Sequence, residues 1–152
     1  MSDIHIDDFY KDTGRILVQL YRSFPRKDLL LVEDISGADT PDEYGLHSER
    51  HQSCFGAAIW LAESGYIQYG ETIRQEGMDQ VILTHKAFTL LAARAAFIAD
   101  TQETKAANKE LPPSVAELQQ SNIQQLRDAL RSGESSRIKQ TVQSLLTQSK
   151  HH

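Results

Sequence analysis

Apolar side chains recur at helical spacing over residues 6–23, where Phe9, Ile16, Leu17 and Leu20 share a side with Phe24 just beyond. Gly14 is a weak spot in that helix, and Pro25 ends it by pushing the preceding residue out of the α region. Asp28 to Ile35 is a short apolar run closed by Ser36-Gly37 and predicts a buried strand, with a helical turn as the alternative. Thr40-Pro41-Asp42-Glu43 carries the capping-box signature of a helix start, and Gly45 keeps that first stretch short or bent. A longer helix follows from about Ser48 to Ser64, with Cys54, Ala58, Leu61 and Ala62 on its core side and Gly65 at its C-terminal turn. Tyr66–Ile73 and Gln80–Leu83 predict two strands of a β-hairpin joined by residues 74–79. Thr84 then caps a helix from His85 to about Thr101.

Beyond Thr101 the pattern changes. Residues 102–113 read as a linker or helix extension ending at Pro112-Pro113. Ser114 and Glu117 form a second capping box, opening a helix with Val115, Leu118, Ile123, Leu126 and Leu130 on one face. Ser132-Gly133 turns the chain, and a last helix, 134–148, aligns Ile138, Val142, Leu145 and Leu146. The expected architecture is mainly α with a small antiparallel β-hairpin: a domain over 1–101, then a C-terminal αα-hairpin over 114–150. An isolated helical hairpin of this size is marginal, so its two stripes must be buried on the main domain or on another chain. The stripes, through Leu118, Leu126, Val142 and Leu145, motivate a homodimer. His151 and His152 read as a purification-tag remnant.

Composition narrows the functional classes. At 152 residues and 39% hydrophobic, with a mean hydropathy of -0.46, the chain is expected to be globular. It has no apolar run long enough to span a bilayer, and the acids of its first twenty residues do not fit a signal peptide. A cytoplasmic location is expected. The single cysteine, Cys54, excludes an internal disulfide and a four-cysteine zinc site. The net charge of -5 is uneven: residues 41–100 hold 8 acids and 4 bases, whereas residues 101–152 hold 5 and 7. An acidic middle lowers the expectation of a phosphate-binding surface there.

Leu61, Gly65, Tyr66 and Ile67, followed by the hairpin and then by Leu83, Thr84 and Ala87, resemble the winged-helix superfamily over about residues 8–100. In that pattern the leucine pins a recognition helix to the core, the glycine reverses the chain, and the next two residues enter the sheet that forms the wing. The resemblance implies binding to duplex DNA, the 48–64 helix in the major groove and the wing near the backbone. On that implication Arg50, Gln52 and Ser53 would face the bases, Arg74 would sit on the wing, and Lys86 would meet a phosphate. Two features depart from it. Glu49 and Glu63 share the exposed side of the helix, and the wing tip Arg74–Asp79 has one base and two acids. The first expectation is therefore a DNA-binding transcriptional regulator. The alternative is a winged-helix adaptor that holds another protein and does not bind DNA.

Other constellations of residues compete with ordinary packing as explanations. His47, His51 and Cys54 at i, i+4 and i+7 include plausible zinc-ligand types, but the His-Ser-Glu-Arg-His string lacks the metalloprotease signature. Two exposed histidines beside a buried thiol is the expected arrangement, with no metal and no cofactor. Trp60 is expected at the edge of the core or as an interface anchor. No glycine-rich phosphate loop, nucleophile elbow or acid/base set is present, so enzymatic activity is not expected.

Overall fold

One long helix organises the molecule. The computed structural model describes residues 3–95 and 120–150. Helix α1 (Ile4–Ser23) packs against other helices on two sides, which is why Asp12, Thr13 and Gly14 are buried along with Ile16, Leu17 and Leu20. After it come β1 (Asp28–Leu31), α2 (Val32–Ser36), α3 (Glu49–Glu63), β2 (Ile67–Gln68), β3 (Thr72–Ile73), β4 (Gly77–Leu83) and α4 (His85–Ala92). The described chain ends with α5 (Asn122–Ser132) and α6 (Ser135–Ser149). The fold is mainly α with a small antiparallel sheet.

The sheet runs in the order β1-β4-β2, with β3 also pairing with β4. Ile67 lies opposite Leu83, and Ile73 opposite Gly77, so residues 67–83 form the expected antiparallel ribbon. Its returning strand starts at Gly77, three residues earlier than the alternation indicated, because β1 supplies a second partner there through Leu31. Gly77 is required by this pairing: a β-carbon on it would collide with the Leu30 carbonyl oxygen.

The start of α3 corrects one expectation. Thr40-Pro41-Asp42-Glu43 does not open a helix. The Asp42 carboxylate accepts the amides of Tyr44 and Leu46, both at 2.9 Å, and Gly45 closes the turn at φ +79°. A side chain that bonds its own backbone so close by competes with the helix. The functional cap is Ser48, whose hydroxyl accepts the His51 amide at 3.2 Å. At the other end Gly65, at φ +84°, turns the chain into β2 as expected.

Two further boundaries differ. The run 28–35 is part strand and part helix, since β1 ends at Leu31 and α2 begins at Val32. Helix α4 stops at Ala92 instead of near Thr101: Ala93 is extended, Arg94 bridges to Ser121, and the chain there bonds to the one entering α5. Ala95 donates to Gln120, and Asn122 to Ala93. Ser121 is correspondingly extended and caps α5, so no helix runs unbroken from 114 to 130. The expected start at Ser114, the face positions Val115 and Leu118, and the 102–113 segment lie outside the described residues.

Gly133, at φ +71°, joins α5 to α6. Ile123, Leu126, Ala129, Ile138, Val142 and Leu145 are all buried in the same core as Leu17, Leu30, Leu61 and Val81. Leu126, Val142 and Leu145 therefore do not form an exposed interface: they pack in cis, and the observation that motivated a homodimer is accounted for within one chain. Gly14 lets the helices meet, since a β-carbon there would stand 3.1 Å from Leu126 Cδ1. Among the described residues no helix is long and apolar enough to cross a membrane.

Candidate functional site

Helix α3 buries His51, Cys54, Ala57, Ala58 and Leu61, and turns Glu49, Gln52, Ser53, Gly56, Trp60 and Glu63 outward. The resemblance placed Arg50 among the outward residues, and the structure corrects this. The Arg50 guanidinium grips Asp12 of α1 in a fork, Nη1 to Oδ2 at 2.7 Å and Nη2 to Oδ1 at 2.6 Å, with Asp8 at 3.5 Å from Nε. Asp12 is fully buried, so this pair neutralises a carboxylate that would otherwise be stranded in the core. The aspartate raises the Arg50 pKa further. Arg50 is a strut between α1 and α3, and its fork is not free to face a base edge.

The other sequence-derived candidates are distributed differently. Gln52 is exposed but donates its amide to the His47 carbonyl at 2.8 Å, while Ser53 is open to solvent. Arg74 is exposed at the wing turn, in a left-handed conformation at φ +50°. The Lys86 ammonium stands 4.5 Å over the Tyr66 ring and 3.4 Å from the Ser64 carbonyl. Trp60 is 38% exposed and joins an aromatic cluster, edge-on to Phe9 and stacked with Tyr66. Around these side chains stand Glu49, Glu63, Glu71, Glu76 and Asp79, so the α3–wing face carries more acid than base.

A second cluster joins the loop before α3 to the wing. His47 lies between two carboxylates: Nδ1 donates to Asp39 Oδ2 at 2.8 Å, and Nε2 to Glu76 Oε1 at 2.5 Å. A carboxylate at each ring nitrogen favours the doubly protonated, cationic form of the ring. Its pKa is raised, chiefly by Glu76 and then by Asp39. Bonds from Ser48 and then from His47 hold Asp39 down at about 2. The His51 ring stacks on His47 at 3.7 Å and donates Nε2–H to the Gln75 carbonyl at 2.8 Å. His51 Nδ1 is buried without a hydrogen-bond partner among the described residues. Both histidines are buried, which corrects the expectation of exposed rings.

Asp39, His47 and His51 each present one ligand-type atom within 4.8 Å of the others. The two rings are parallel to within 9°, however. Imidazole lone pairs lie in the ring plane, so those of two stacked rings lie in separate parallel planes and do not converge on one ion. In this arrangement the cluster holds a proton and ties the wing to the loop. Cys54 is not part of it: burial pushes its thiol up to about 12, leaving it protonated and inert at neutral pH. The four-residue spacing of His47 and His51 could suggest that pair. Asp39, Gln75 and Glu76 had no local signal, because tertiary contact alone brings the wing to the loop.

Comparison of the chain with family models, with curated proteins and with solved structures finds no match.

Proposed function

We propose that this chain is a cytoplasmic winged-helix module that works by holding another protein, not by reading duplex DNA. The element order supports the winged-helix part. A helix, a strand, two helices and a two-legged ribbon follow one another, and the first strand pairs with the returning leg of the ribbon. The observation that carries the functional part is the bidentate Arg50–Asp12 pair. It removes the one cation of α3 from the outward face, leaving Glu49 and Glu63 there with no positive charge on the helix to offset them. A duplex presents dense negative charge, so approach of this face is unfavourable.

The test is retention on immobilised duplex DNA as a function of salt. Passage without retention even at low salt is the expected result. Salt-sensitive retention that disappears in Arg74→Glu would overturn the proposal in favour of a wing-mediated DNA binder.

A further inference from the structure

The cations missing from the α3–wing face are gathered elsewhere. Arg15, Arg22, Arg26 and Lys27 are all exposed and lie along the C-terminal half of α1 and the turn into β1. Two adjoining hollows of about 520 Å³ and 290 Å³ run beneath them and share Gln19, Arg22 and Asp28. The larger is walled by α1, β1, α2 and α5. Its apolar lining includes Val18, Leu130 and Leu29, the last 47% exposed. Asp28 and Asp34 are the acids lining it. Arg15 is steadied by donating to the Ile35 carbonyl at 2.7 Å, whereas Arg22, Arg26 and Lys27 have no ion-pair partner among the described residues.

We propose that this groove docks an acidic, leucine-bearing segment of a partner protein. The inference rests on the protein-holding role above and adds the partner's chemistry. Charge complementarity selects an anion: four cations against two acids make a positive surface on a chain whose net charge is -5. The apolar lining selects among anions. A sugar–phosphate backbone would leave Val18, Leu29 and Leu130 uncovered, whereas a peptide carrying both carboxylates and leucines covers them. The segment docks through side chains and does not add a strand to β1. On that strand Leu29 already has its amide bonded to Asp28 Oδ1 at 2.9 Å and its carbonyl to Gln19 at 3.3 Å.

Fluorescence anisotropy on the full chain tests this with three labelled probes: a peptide alternating glutamate and leucine, a peptide alternating glutamate and serine, and an oligothymidylate. The glutamate–leucine peptide should bind best and weaken with salt. Arg22→Glu with Arg26→Glu should weaken it by about tenfold or more, and Leu29→Ser should erode its advantage over the serine peptide. These residues are exposed, and an unchanged thermal melt verifies that each variant is folded. Absent binding, binding indifferent to the charge reversals, or tighter binding of the oligothymidylate would each overturn the proposal. Failure here is distinct from failure of the protein-holding role, which shows as duplex retention dependent on Arg74.

Discussion

Arg50 grips the Asp12 carboxylate through both terminal nitrogens of its guanidinium. A buried Asp12 needs a partner, and removing that partner leaves an uncompensated charge in the core. Arg50 keeps about a third of its side chain in solvent, so Arg50→Ala should cost about 3 kcal/mol, the low end for a broken buried pair. Urea denaturation checks this, and an unchanged midpoint would show that Asp12 does not need the pair. His47 makes a pH-dependent prediction. Its pKa is raised in the fold, so its contribution is complete below its ordinary 6.5 and is lost as pH rises through the folded value. Asp39 is lowered, so its contribution holds above 3.8 and fades as pH falls toward about 2. The melting-temperature gap between wild type and His47→Gln should therefore be widest below 6.5 and shrink on raising the pH. A gap that grows with pH would contradict a protonated latch.

At the scale of elements, caps and crossings decide where helices and strands stop. Ser48 and Thr84 cap α3 and α4, because each hydroxyl has an orphan amide three residues ahead, and of the two only Thr84 was expected as a cap. The equally good signature at Thr40 does nothing, because Asp42 bends the chain into a turn first. In the wing, Gly77 admits the Leu30 carbonyl against its α-carbon. Gly77→Ala should destabilise the protein by about 1–3 kcal/mol through overpacking against backbone. A Tm equal to wild type would mean that β1 can move away from β4.

At the scale of the whole molecule, α5 and α6 complete the shell around α1. Leu126 is fully buried at that junction, so Leu126→Ala should cost about 2–5 kcal/mol. Sedimentation at matched concentrations should show the oligomeric state unchanged by this substitution, because the side chain packs within its own chain. A loss of oligomer without loss of stability would place Leu126 between chains instead. The charge of the molecule is also divided, with acids around α3 and the wing and cations along the C-terminal half of α1 and the turn into β1. This division separates the two binding tests.

Elements whose signals are local were legible in the residue pattern alone. These are the apolar stripe of α1, the cap at Thr84, the glycine turns at 65 and 133, and the ribbon between Ile67 and Leu83. Each depends on residues within a few positions of one another, where backbone sterics and side-chain spacing decide the outcome. Long-range packing is what sets Arg50 against Asp12, His47 between Asp39 and Glu76, and the C-terminal stripes against α1. Those contacts join positions far apart in the chain. The energy of burying a charge or an apolar face does not depend on sequence distance, so spacing alone carried no trace of them.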